Sequence, residues 1–336
     1  MKHSKALLLV WSAWWTVASL FAAGCTPPKS AARQPEDETS PAMGIFCRLS
    51  DQDWRRVVAQ DASGVLISEE SLSFAQVWHS DFAAKAPPAG PTERRNWKEL
   101  LLPLPDEAIP CIGYAFTYPE HQRETSLTDV FSFAKTAVPQ STLQDITYRD
   151  NLDYEAEVGL LLHRNAPPGR FGYLMVNDLT DRGIQVRTFD SDDMARGFSL
   201  AKSFEGALQA GPLLAIGNEA AWQTLAVDLH LNGQLRQQLR ANACLLGPGA
   251  MAADQLAAHP EAQWLLVATG TSAGMLFDVP NLWEKIEYFL RAGFSMKEAQ
   301  EAWLDHLRFL QPGDELTLMS PTLGRASSRV VTKGNR

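Results

Sequence analysis

The chain has 336 residues, 45% of them hydrophobic and 21% charged, with four Cys and 30 Lys and Arg against 39 Asp and Glu. That length and apolar content allow a substantial core in one large or two modest domains, and they exclude a disordered chain, a collagen-like chain and a disulfide-stapled mini-protein. The net charge of −9 argues against a nucleic-acid partner, because affinity for phosphates rests mainly on Lys and Arg.

Met1 to Lys5 is short and positive, and Ala6 to Gly24 then runs 19 residues without a charge up to Cys25. A positive start, an apolar stretch and the small residues Ala22, Ala23 and Gly24 form the pattern of a secretory signal peptide over residues 1–24. Ala-Ala-Gly-Cys resembles a bacterial lipoprotein box. The resemblance implies lipidation of Cys25, a membrane held through that lipid, and a location in the bacterial cell envelope, periplasm-facing or at the outer membrane. An uncleaved anchor is the competing reading, since about 18 apolar residues can span a bilayer. Thr26 to Ala42 holds four Pro and no Val, Ile, Leu or aromatic residue, so residues 25–43 read as a disordered tether. With Cys25 lipidated, Cys47, Cys111 and Cys244 remain; they allow one bridge, whose members the spacing does not fix.

Residues 44–105 read as a small N-terminal α/β region, with a strand at Gly64 to Ile67, a helix over Ser71 to Ala84 and a loop over Ala86 to Pro91. Residues 106–332 read as a mainly β, mixed α+β domain. Its expected strands are Ala156 to Leu162, Gly172 to Val176, Leu225 to Leu231 and Trp264 to Ala268, and Asn232-Gly233 marks a hairpin turn. Gly247-Pro248-Gly249 reads as a turn and not a phosphate cradle, because the Lys-Ser/Thr that defines such a cradle is missing. Leu282, Ile286, Phe289 and Leu290 change the period to helical over 281–307, and a last strand pair follows near Leu316 to Met319 and Val330-Val331.

The chemistry concentrates at Asp153-Tyr154-Glu155-Ala156-Glu157. Residues two apart on a strand share a face, so Glu155 and Glu157 point the same way. An isolated pair of this kind is usually a solvated strand face. Asp178, closing the next apolar strand, adds a third acid, and the segment Arg164 to Arg170 can turn that strand back toward the first. Three carboxylates without His or Cys make a hard, oxygen-only site suited to Mg²⁺, with Mn²⁺ or Ca²⁺ as alternatives.

These residues, followed by Val176-Asn177-Asp178-Leu179-Thr180-Asp181-Arg182-Gly183-Ile184-Gln185, Ala201-Lys202-Ser203-Phe204-Glu205, Asn232-Gly233-Gln234-Leu235-Arg236-Gln237, Thr269-Gly270-Thr271-Ser272-Ala273-Gly274 and Leu310-Gln311-Pro312-Gly313-Asp314, resemble the fumarylacetoacetate hydrolase family. The resemblance spans about Ile109 to Val331. It implies a mixed β-sheet roll, a divalent cation held by Glu155, Glu157 and Asp178, and a homodimer. Lys202 matches the family lysine that faces the substrate's charged oxygens, Arg182 and Gln185 match positions that orient substrate, and Thr271 matches a residue that binds a substrate carboxylate.

Ile112 to Glu124 aligns with a family segment reading Gly-x-Asn-Tyr-x-x-His-x-x-Glu. His121 and Glu124 fall three apart and share a helical face, so the carboxylate can orient the imidazole as a general base. The chain departs from the family in two extra residues between Gly113 and Tyr118, in Thr117 where Asn is common, in Ser272 where Pro is common, and in the helical stretch 281–307, which reads as an insertion. The expected activity is metal-assisted hydrolysis of a carbon–carbon bond in a β-keto or β-diketo acid of acylpyruvate type. Decarboxylation or keto–enol isomerisation on the same fold is the alternative, and a non-catalytic envelope ligand-binding protein is the rival from another class.

Overall fold

The computed structural model of the chain describes residues 43–79, 90–189 and 192–333. The signal segment, the lipidation site at Cys25 and the tether up to Ala42 lie outside the described residues. No helix among the described residues is long and apolar enough to cross a membrane.

In chain order the elements are β1 (Met43–Ser50), β2 (Asp53–Asp61), β3 (Gly64–Ser68), α1 (Phe74–His79), β4 (Thr92–Asn96), β5 (Cys111–Ala115), α2 (Pro119–Thr125), β6 (Phe131–Lys135), β7 (Gln140–Ser141), β8 (Ile146–Thr147) and β9 (Leu152–Asp153). Next come β10 (Ala156–His163), β11 (Phe171–Asp178), β12 (Thr180–Asp181), α3 (Arg182–Arg187), α4 (Met194–Ala201), β13 (Leu208–Ala210), β14 (Leu214–Gly217), α5 (Glu219–Trp222), β15 (Ala226–Leu231) and β16 (Gln234–Arg240). The chain then runs through α6 (Pro248–Ala258), β17 (Trp264–Ala268), α7 (Leu282–Arg291), α8 (Met296–His306), β18 (Glu315–Ser320) and β19 (Gly324–Val331). The fold is mixed α+β and mainly β.

The larger sheet runs β4-β3-β2-β1-β14-β11-β10-β17-β5-β6, and a smaller one runs β16-β15-β18-β19-β8. Antiparallel pairing of β1 with β14 joins the N-terminal strands to the same sheet that carries β10 and β11. Strand periodicity explains how both faces of β10 are buried. Val158, Leu160 and Leu162 pack against Val227, Leu229, Leu316 and Leu318 of the smaller sheet. Leu161 lies on the opposite face with Leu174, Val176, Leu266, Trp78 and Trp264. Burying each such Leu or Val stabilises the fold by about 1.5–3 kcal/mol. Glu155 and Glu157 share the odd-numbered face with Leu161, so the apolar packing fixes where the acids point.

Three local expectations change. The first helix is α1 and starts at a Ser73 cap, where the Ser73 hydroxyl accepts from Gln76 N at 3.2 Å, and residues 80–84 lie outside the described residues. Gly247-Pro248-Gly249 opens α6 rather than making a turn, because Pro248 sits at the helix start, where its missing N–H costs no hydrogen bond. Cys47, Cys111 and Cys244 are all free thiols, so none of these three forms a bridge. The 281–307 stretch forms α7 and α8, the first capped by Asn281 with Glu284, and the pair packs on α3 through Val186, Trp303, Leu304 and Phe309.

Candidate metal centre and active site

β10 and β11 form an antiparallel hairpin with Ala156 opposite Asn177 and Glu157 opposite Val176. The Asp178 amide donates to the Glu155 carbonyl at 2.8 Å, which carries the ladder one step past β10 and sets Asp178 beside Glu155. One carboxylate oxygen from each of Glu155, Glu157 and Asp178 then lies within 4.8 Å of the other two. All three acids are buried, with Glu157 and Asp178 each 1% exposed. An all-oxygen set at this spacing, inside the protein, fits a hard divalent cation.

Such buried charge is tolerated only where it is paired. Lys202, at the end of α4, donates to Glu155 Oε2 at 2.6 Å and to Asp178 Oδ2 at 3.0 Å. Arg182 opens α3 and makes a fork, Nε to Asp153 at 2.8 Å and Nη2 to Glu155 Oε1 at 2.7 Å, while Nη1 binds Gln185 at 2.8 Å. Arg182 and Gln185, expected as substrate contacts, are hydrogen-bonded to each other, and Arg182 also holds Glu155. Phe277 lies on the Arg182 guanidinium at 5.1 Å, and Met275 Sδ sits 2.9 Å from Nη2.

Sequence reasoning missed Lys135. Its ammonium is buried at the end of β6 and donates to Asp178 Oδ1 at 2.5 Å and to the Lys202 carbonyl at 3.0 Å. The one signal was the position of Lys135 two residues after the buried Phe133 on the same strand face.

This environment separates the carboxylates. Burial opposes ionisation of Glu155, but Lys202 and Arg182 outweigh it and hold the carboxyl at about 2. Burial and the neighbouring Asp178 push Glu157 well above the usual carboxylate range. Burial pulls the Lys135 ammonium down, with Asp178 acting against it; for Lys202 the attraction of Asp178 and Glu155 exceeds burial, and its affinity for protons rises.

The loop after β17 closes the site. Where the ladder with β10 stops, threonine hydroxyls replace it: Thr269 donates to the Val158 carbonyl at 2.7 Å and Thr271 to the Ala156 carbonyl at 2.8 Å. Thr271 also accepts from Gln237 at 3.0 Å, so its hydroxyl is engaged in fastening the loop. Between them, Gly270 N donates to Glu157 Oε2 at 2.9 Å. A Cβ at Gly270 would fall 2.1 Å from Thr117 Oγ1, and its φ of +94° lies in the left-handed region, so glycine is required there.

α2 brings His121 and Glu124 together. His121 Nδ1 is 3.4 Å from Glu124 Oε2, and the imidazole stacks on Phe116 at 5.5 Å with an interplanar angle of 19°. Gly274 N, at the far end of the same loop, donates to Glu124 Oε1 at 3.0 Å. One six-residue loop therefore binds a triad carboxylate at one end and the carboxylate of the dyad at the other.

The family description "Fumarylacetoacetate (FAA) hydrolase C-terminal" matches residues 111–331. The chain belongs to the fumarylacetoacetate hydrolase family. An uncharacterized protein of Staphylococcus saprophyticus is 26% identical over 243 residues, 66% of this chain and 68% of that protein. A fumarylacetoacetate hydrolase from Exiguobacterium antarcticum shares the fold with a TM-score of 0.54 at 21% identity, covering 87% of this chain and 100% of that one. A 5-carboxymethyl-2-hydroxymuconate delta-isomerase from Mycobacterium smegmatis shares it with a TM-score of 0.52 at 16% identity, covering 87% and 99%. The mainly β, mixed α+β architecture of the fumarylacetoacetate hydrolases is therefore the architecture of this chain.

Proposed function

We propose that the protein is a divalent-cation-dependent hydrolase that cleaves a carbon–carbon bond in a β-keto or β-diketo acid of acylpyruvate type. The observation that carries this reading is the pairing of three convergent carboxylates with a His–Glu dyad through one loop, Gly270 to Glu157 at 2.9 Å and Gly274 to Glu124 at 3.0 Å. Glu155, Glu157 and Asp178 would hold the cation, with Mg²⁺ preferred and Mn²⁺ or Ca²⁺ as alternatives. When bound, that cation supplies Lewis-acid stabilisation of an enolate oxygen.

Glu124 accepts from His121 Nδ1, which leaves Nε2 free to take a proton from water. The hydroxide oxygen forms a bond to the acyl carbonyl carbon. The bond from that carbon to the next breaks, and its electron pair becomes the enolate of the departing keto acid. His121 returns the proton to the enolate carbon, giving a carboxylic acid and a keto acid. Lys202 supplies positive charge beside the developing anion.

Isomerisation or decarboxylation is the second reading. It uses the same enolate stabilisation without an attacking water, and the Mycobacterium smegmatis delta-isomerase shares this fold. The family, the buried acids and the dyad favour catalysis over a purely ligand-binding role. We also propose that residues 1–24 form a cleaved signal peptide, that lipidated Cys25 anchors the enzyme in the cell envelope, and that it acts as a homodimer.

The test is turnover by the purified full-length protein of acylpyruvates, fumarylpyruvate and oxaloacetate with Mg²⁺ or Mn²⁺, followed by loss of enol absorbance. Product analysis separates cleavage from isomerisation. Turnover that survives chelator would overturn the metal reading, and a panel without turnover would favour ligand binding. Intact mass of membrane-extracted protein reports acylation at Cys25.

A further inference from the structure

Tyr154 points away from the acids, since it alternates with Glu155 along the chain and its ring lies in the core between the two sheets. Its hydroxyl reaches the loop that joins the triad to the dyad. Tyr154 Oη donates to the Gly274 carbonyl at 3.2 Å and accepts from Arg236 Nε at 3.1 Å. The next bond runs from Gly274 N to Glu124 Oε1 at 3.0 Å, and Glu124 Oε2 faces His121 Nδ1 at 3.4 Å.

We propose that Tyr154 and Arg236 are positioning residues for the His121–Glu124 dyad, acting through Gly274. The inference rests on the reading of that dyad as the general base. Gly274 is pinned on both sides: its carbonyl by Tyr154, its amide by Glu124. It is also wedged in place, because a Cβ there would fall 2.1 Å from the Arg236 carbonyl and its φ is +107°. Arg236 thus fixes Gly274 twice, with its backbone by contact and with its guanidinium through Tyr154. Neither residue supplies a ligand to the carboxylate triad, so the relay sets the aim of the base without holding the cation.

The experiment compares Tyr154→Phe, Arg236→Gln and the double variant in the full-length protein. Each single variant should lower kcat about tenfold through misplacement of the base, with KM and Mn²⁺ affinity unchanged. The double variant should be no worse than either single one, because both cut the same chain of bonds. Hydrogen–deuterium exchange at the Gly274 amide should rise about tenfold in both. Arg236→Lys should recover part of kcat. Unchanged exchange and kcat would overturn the proposal, as would additive losses or a parallel fall in Mn²⁺ affinity, which signifies general loosening. Should Tyr154→Phe fail to fold, Arg236→Gln decides, because Arg236 lies at the exposed edge of β16. Absence of turnover in the wild-type protein defeats the functional reading, and the exchange measurement still decides whether the relay fixes Gly274.

Discussion

Lys202 Nζ lies 2.6 Å from Glu155 Oε2, and the pair is buried. The same ammonium reaches Asp178 at 3.0 Å, so one cation bridges two of the three acids, the position from which the proposed mechanism has it offset the enolate charge. Lys202→Met keeps the bulk and removes the charge. Steady-state kinetics should show kcat lower by about 10²–10³ with the circular dichroism spectrum unchanged. A loss below tenfold would separate Lys202 from the chemistry.

Arg182 ties Asp153, Glu155 and Gln185 together through one guanidinium. Arg182→Met removes the cation paired with buried Asp153 and leaves Glu155 with Lys202 alone, and it should cost about 3–5 kcal/mol, read as a lower urea midpoint. Arg182→Lys should recover only a fraction, because a single ammonium does not reproduce the guanidinium fork.

Glu155 and Glu157 should respond oppositely to neutralisation in chelator. The folded-state value of Glu155, about 2, lies below its ordinary 4.5, so its contribution to stability is present above 4.5 and fades as pH falls toward 2. Glu157 is displaced upward, so its contribution is present below 4.5 and is lost as pH rises through its folded-state value. At pH 7.5 Glu155→Gln should therefore lower the urea midpoint and Glu157→Gln should raise it. The reverse order would contradict the assigned charge pairing.

Cys47 and Cys111 are buried, and burial pushes both thiols up to about 12. Thiolate is the reactive form, so neither should react with a thiol reagent in the folded protein, and reductant should leave Tm unchanged. Fast labelling at either position would place it at the surface.

Much of the site is legible from strand periodicity. Glu155 and Glu157 fall on one face by spacing alone, and the turn after His163 brings Asp178 back to them. The His121–Glu124 spacing on a helix is equally local. What escaped the sequence lies far apart in the chain. Lys135 reads alone as a solvated lysine and becomes a site residue only because β6 ends beside Asp178, 43 residues on. Tyr154 and Arg236 are 82 residues apart, and no local pattern joins them. The pairing of Phe46 with Leu214, which joins the N-terminal strands to the large sheet, likewise leaves no periodic trace.

Mn²⁺ titration of the full-length protein, followed by electron paramagnetic resonance, reads out whether Glu155, Glu157 and Asp178 together hold one divalent cation. The wild-type protein should bind one Mn²⁺ per chain, competed by Mg²⁺. Glu157→Gln should weaken binding at least about a hundredfold while the protein stays folded, since a carboxylate ligand is lost from an all-oxygen site. Wild-type affinity retained in Glu157→Gln, or no Mn²⁺ bound to the wild-type protein, would show that these acids are not a cation site.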